Sequence, residues 1–149
     1  MVLSKDKGNR FERQVAKVLT NLTGVEWQRV PMSGAFATVK GTKDNRFKGD
    51  IFTENKKFSN IVIECKSTKE RITIDEIPNP SGRIMNWINQ TKEESQGMDW
   101  ILIFKGNNGR IFFLTEGLKN ISLISDKLKI ILTIYLNNTS YDICCIRSD

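Results

Sequence analysis

Apolar residues near the start of the chain recur at helical spacing. Placed at steps of about 100° from Phe11, the residues Phe11, Val15, Val18, Leu19 and Leu22 share one arc, which Ala16 extends. Arg13, Gln14, Lys17 and Asn21 lie opposite. The pattern predicts a helix over 7–23, stopped by Gly24. Glu12 falls inside the apolar arc, between Leu19 and Ala16. Residues 25–30 read as a short strand, Pro31-Met32-Ser33-Gly34 as a turn, and 40–49 as a polar, glycine-containing connection. Asp50–Thr53 and Asn60–Lys66 then read as two strands of a hairpin joined by the polar stretch Glu54–Ser59. A second helix is predicted over 81–97, carrying Ile84, Met85, Trp87 and Ile88, preceded by Pro78 and Pro80 and closed by Gly97. Trp100–Phe104 is a continuous apolar strand. Asn107-Asn108-Gly109 is its hairpin turn and Arg110–Leu114 the return. Residues 116–125 suit a short helix. Lys129–Leu136 and Tyr141–Ile146 suit two final strands joined through Asn137-Asn138. Helix, strands, helix, strands in this order predict an α/β or α+β fold, with a mixed central sheet and helices packed on it.

The chain has 149 residues, enough for one domain over 1–149 and too few for two ordinary ones. A domain of that size buries about 70% of the surface its unfolded chain exposes, so it needs no disulfide or metal to fold. Three cysteines, Cys65, Cys144 and Cys145, with two of them adjacent, make neither a disulfide framework nor a zinc spacing. They suit a reducing compartment. The first residues carry no long apolar run, and no stretch approaches a membrane span of about 20 apolar residues. The expected location is the cytosol.

Charge adds a partner. Residues 1–75 hold 15 basic and 9 acidic residues, whereas 76–149 hold 8 of each. The net charge of +6 therefore belongs to the first half. A one-sided basic surface suits a polyanion, because phosphate contacts release counterions; a merely basic soluble protein is the competing reading. There is no histidine. That removes Ser-His-Asp hydrolysis, His-ligated zinc and any histidine general base, leaving carboxylates and lysines.

On the strand 60–66, residues two apart share a face. Ile61, Ile63 and Cys65 point one way, to the core; Val62, Glu64 and Lys66 point the other. Asp50 opens the neighbouring strand, so the hairpin sets its carboxylate near Glu64. Two adjacent carboxylates repel unless something neutralises them, and hard oxygen ligands select Mg2+ or Mn2+. Such an ion lowers the pKa of a bound water and polarises a phosphoryl oxygen. Lys66 can then orient the attacking water or stabilise developing charge. The competing reading of Glu64 and Lys66 is a surface ion pair. Glu12, inside its apolar arc, needs a partner: either the same cation or a buried arginine.

Four stretches in order resemble the PD-(D/E)XK nuclease superfamily, and within it the archaeal and phage type of Holliday-junction resolvase. They are Lys7-Gly8-Asn9-Arg10-Phe11-Glu12-Arg13, Arg29-Val30-Pro31-Met32-Ser33-Gly34, Lys48-Gly49-Asp50-Ile51 and Ile63-Glu64-Cys65-Lys66. The likeness covers about residues 7–105, and Gly49 stands where many members have proline. The resemblance implies a restriction-endonuclease-like sheet. It implies a metal held by Glu12, Asp50, Glu64 and the main-chain carbonyl of Cys65, and Lys66 as the catalytic lysine. Ser33 would sit near the scissile phosphate. Lys7, Arg10, Arg13, Arg29 and Lys48 would contact DNA. Gln90 matches a glutamine often found after the second motif, or is simply a solvated glutamine. The resolvase likeness also implies branched DNA as the partner, a homodimer, because a four-way junction needs two symmetric cuts, and a prokaryotic or phage-infected cell as the setting. A restriction, repair or phage replication nuclease of the same superfamily is the alternative. A DNA-binding module without catalysis is a further one.

Overall fold

A computed structural model of the protein describes residues 4–31, 48–107 and 109–147, with the side chains of 4–7 and 118–120 left aside. Among the described residues, three helices flank a sheet of seven strands. Helix α1 is Ser4–Thr23, α2 is Arg83–Ser95 and α3 is Leu118–Ile124. The strands are β1 (Gln28–Arg29), β2 (Ile51–Phe52), β3 (Ile61–Ser67), β4 (Asp99–Lys105), β5 (Arg110–Thr115), β6 (Ile130–Leu136) and β7 (Thr139–Arg147). They lie in the order β1-β2-β3-β4-β5-β7-β6. Only β3 and β4 run parallel, and α2 is the crossover between them. All other pairs are antiparallel. This is the expected mixed sheet, an α+β fold of the restriction-endonuclease-like kind.

The central strands read as unbroken apolar runs because both faces of the sheet are covered. Along β4, Ile101 and Ile103 enter one core with Phe11, Val15 and Leu19 of α1, Ile63 of β3 and Ile121 of α3. Trp100, Leu102 and Phe104 enter the other with Ile84, Met85 and Ile88 of α2 and Val62 of β3. The Phe104 ring stacks on Phe112 at 5.1 Å and meets Trp87 at 5.9 Å. The apolar residues of α2 are thus spent on the core.

Helix α1 ends where Gly24 takes a positive φ of 78° and its N–H bonds the Thr20 carbonyl. The next residues do not join the sheet as a full strand. The Trp27 backbone N–H and indole N–H donate to the Thr20 and Thr23 hydroxyls, at 3.0 and 2.9 Å. The segment after α1 is therefore tied back to the helix, and the strand expected over 25–30 shrinks to Gln28–Arg29. At the far edge, Asn137 and Asn138 both have positive φ, 51° and 64°, and close the β6–β7 hairpin. All three cysteines are free. Among the described residues, no helix is long and apolar enough to cross a membrane.

Candidate active site

The site forms where β2 departs from β3. Antiparallel pairing of these strands is carried by Ile51 opposite Ile63. One residue earlier, the Asp50 N–H donates to the Ile63 carbonyl at 2.8 Å, and the Asp50 carbonyl accepts from Val30 N at 2.8 Å. The Asp50 carboxylate then takes the Cys65 N–H, Oδ2 to N at 2.8 Å. It occupies the strand edge that β2 has vacated, so Asp50 is fixed by backbone on both sides and by its own side chain.

Gly49 makes this approach possible. Its φ is 84°, and a Cβ there would lie 2.5 Å from the Ile63 carbonyl oxygen and 2.9 Å from a Val62 methyl. Proline, locked near φ of about −65°, cannot take this conformation.

Glu64 is 5% exposed. Burial, then the Asp50 carboxylate, then the Glu94 carboxylate push its carboxyl up to about 10, and hydrogen bonds to both neighbours add to the shift. Lys66 follows two residues later on the same face, half-exposed, in register with Phe104. Cys65 is the backbone donor to Asp50, and its half-buried thiol is pushed well up by desolvation and by Asp50, Glu12 and Glu64, against Lys66.

Glu12 reaches the same region from α1, but in an ion pair. Arg29 donates from Nε to Glu12 Oε2 at 2.8 Å and from Nη2 to Asn9 Oδ1 at 2.8 Å. Desolvation raises the Glu12 carboxyl, Arg29 opposes it, and Asp50 adds to the rise. The structure thus joins Asp50 to Glu64 and couples Glu12 to Asp50 through space. The arginine partner that the sequence offered as one option for Glu12 is present. Among the described residues, no three acidic, cysteine or histidine side chains are already gathered around a metal-sized point.

The other expected contacts are spread more widely. Arg10 and Arg13 are exposed on α1, and Gln90 is exposed on α2. Lys48 donates to Gln96 Oε1 at 2.7 Å, tying the Asp50 loop to the end of α2. Lys7 lies in α1, its side chain outside the described set, and Ser33 lies outside the described residues. Glu94 was not found by reading the sequence. It stands in the run Lys92-Glu93-Glu94, which looks like a solvated helix end, and only the β3–α2–β4 crossover brings it to Glu64.

The chemistry of the donors suits a divalent cation, although among the described residues the side chains are not yet converged on one point and Glu12 is held by Arg29. The donor set is made of hard oxygens, one of them on a desolvated carboxyl whose partners are two further carboxylates. A mixed sheet with this acidic pair and lysine at the splayed edge defines a PD-(D/E)XK-type nuclease. The chain belongs to the family described as "Phage putative PDDEXK endonuclease", which it matches over residues 3–147. Nucleases of this kind generally use divalent metal ions and act on DNA. The chain is similar to Protein D14 of Escherichia phage T5, with 34% identity over 112 residues, which is 72% of this chain and 67% of that protein. No solved structure gives a significant match.

Proposed function

We propose that the protein is a Mg2+-dependent (or Mn2+-dependent) DNA endonuclease that cuts four-way junctions. The observation that carries the reading is Glu64: a buried carboxyl crowded by Asp50 and Glu94, two residues from Lys66. Asp50, Glu64 and the Cys65 carbonyl would hold the ion. Glu12 would join them by sharing itself with Arg29, and Glu94 would approach from α2. The bound ion would supply an activated water and neutralise charge on the scissile phosphate. Lys66 stabilises the negative charge that develops on the phosphoryl oxygens and fixes the attacking water by hydrogen bonding. Asp50, locked to the Cys65 N–H, keeps the acidic pair from turning away. Ser33 would face the scissile phosphate. Lys7, Arg10, Arg13 and Lys48 would hold flanking phosphates, and Gln90 would approach from α2. Arg29 would reach the DNA only in addition to its hold on Glu12.

Junction cutting calls for a homodimer. The apolar face of α2 is occupied internally, so among the described residues a surface available for pairing is the sheet edge at β6, where Ile131 and Tyr135 are exposed. The likeness to a phage endonuclease family leaves a second reading, a restriction, repair or replication nuclease acting on ordinary duplex in the cytoplasm of an infected cell. One assay separates them. Labelled four-way junction, duplex and single-stranded DNA are incubated with Mg2+ or with chelator. Paired symmetric nicks in the junction support the first reading, and cutting of plain duplex supports the second. Binding without cleavage under every metal condition would reduce the protein to a DNA-binding module.

A further inference from the structure

One end of the sheet gathers cations from both halves of the chain. It is the end where β3, β4 and β7 finish and β5 begins. In register, Ser67 of β3 faces Lys105 of β4, and Arg110 of β5 faces Arg147 of β7. Two arginines directly opposite one another destabilise an antiparallel pair, and neither has an acidic partner among the described residues. Arg110 lies close enough to Cys145 to oppose the desolvation of its thiol. Lys66 lies one residue before Ser67 on the same strand.

Two clefts open on this rim, one on each face of the sheet. The first, about 220 Å3, lies beside α1 and is lined by Arg10 and Lys105 with Ser67, Thr68 and Gln14. The second, about 420 Å3, lies on the α2 face and is lined by Arg71 and Arg110 with Thr73 and Ile74. The loop after β3 separates them and is firmly seated. Asn107 N–H donates to the Glu70 carbonyl at 2.9 Å and Thr68 N–H to the Lys105 carbonyl at 3.1 Å. A Cβ on Gly106 would strike the Glu70 carbonyl oxygen at 2.7 Å. Glu70 itself is neutralised by Arg83 at 2.8 Å.

We propose that this rim is a track for the sugar–phosphate backbone of the DNA that flanks the cut. Arg10 and Lys105 hold phosphates on one side of the Gly106 loop, and Arg71 and Arg110 hold them on the other. Arg147 extends the track away from Lys66. The occupant is an extended polyanion, because the five cations come from five different segments and line two open clefts, not one enclosed pocket. Phosphates between Arg110 and Arg147 would also relieve their mutual repulsion. The inference rests on the nuclease reading and, beyond Arg10, names cations that the reading leaves unassigned.

The test is DNA binding against salt, in chelator, with a fluorescein-labelled 30-base-pair duplex of about three helical turns. Arg71→Gln/Arg110→Gln and Arg10→Gln/Lys105→Gln are each compared with Lys56→Gln/Lys57→Gln. The last pair removes the same charge at the opposite end of β3. Each rim pair should lower the slope of log K against log[NaCl] by about 2, close to 0.9 for each phosphate no longer neutralised. Binding near physiological salt should weaken by about ten-fold or more, and the control pair should leave the slope unchanged. The two rim pairs sit on different elements, so a folding defect in one, seen by thermal melting, leaves the other as the test. Rim variants with the wild-type slope, or a control pair with the same loss, overturn the track while wild-type cleavage keeps the nuclease reading. A wild-type protein that neither binds nor cuts DNA overturns the nuclease reading itself.

Discussion

At the scale of single residues, the site is a problem of charge made soluble by position. Glu64 titrates near 4.5 in an unfolded chain and is pushed up to about 10 in the folded, metal-free protein. The folded state therefore keeps a proton that the unfolded chain releases. This contribution to stability is complete below about 4.5 and drains away as pH climbs toward 10. Glu64→Gln should hold stability level across that window, raising the melting temperature of the metal-free protein at pH 8.5 by about 4 °C for each kcal/mol recovered. The same change should reduce cleavage by about 100-fold or more. Added Mg2+ should stabilise the wild-type protein more at pH 8.5 than at pH 6, because the ion competes with that proton, and should do little for Glu64→Gln. A pH-independent Mg2+ effect in scanning calorimetry would detach the ion from Glu64. Gly49 offers a second handle. Gly49→Ala forces a side chain into positive φ and against the Ile63 carbonyl. It should cost about 2 kcal/mol or more in urea titration and lower cleavage with it, since Asp50 is the next residue.

At the scale of elements, the long periodic segments were legible and the local tethers were not. The apolar arc from Phe11 to Leu22 identified α1, and the run from Trp100 to Phe104 identified β4, because each pattern is repeated often enough to outweigh its flanks. Asp50 beside Glu64 was legible too, since a hairpin leaves few other places for them. The short strand after α1 was overread because two threonine hydroxyls, invisible to periodicity, take the hydrogen bonds of Trp27. Glu94 could not be found from spacing, because its place depends on where a crossover helix ends. The second half of the chain looked electrically neutral, yet its Lys105, Arg110 and Arg147 gather at one sheet end. Net charge along a sequence does not report which strand ends meet. The Asn137-Asn138 turn, by contrast, was read from composition and carries its own test. Asn138→Ala places alanine at φ of 64° and should cost about 1 kcal/mol, measured by urea unfolding, with no change in cleavage because the turn lies across the sheet from Asp50.

At the scale of the whole molecule, the sheet is asymmetric in what its two edges do. The β1–β2 edge is short and splayed, and the acidic site grows in the gap. The β6 edge is seven residues long with no charge and no proline in Ile130–Leu136. Its backbone N–H and C=O groups on the outer side have no further strand among the described residues. An apolar edge of this kind invites another strand unless charge, proline or a bulge blunts it; β6 has one irregularity, at Ile131, and runs regularly from Leu132 to Leu136. Tyr135 is 77% exposed and Ile131, at the register shift between Ile130 and Leu132, is 47% exposed. Two copies joined there in antiparallel register would make one continuous sheet with the proposed active site at each far end, related by a two-fold axis. Ile131→Lys/Tyr135→Lys places a blunting charge at two exposed positions of that edge strand. Sedimentation velocity should then show the wild-type dimer converted to a monomer with an unchanged far-ultraviolet circular dichroism spectrum. The monomer should still bind and nick the junction but should lose coordinated cutting, producing single nicks in place of paired ones. A variant that sediments like the wild-type dimer would place the interface on another face. A wild-type protein that is monomeric at micromolar concentration, with and without junction DNA, would remove the homodimer, and the argument for symmetric junction cutting would go with it.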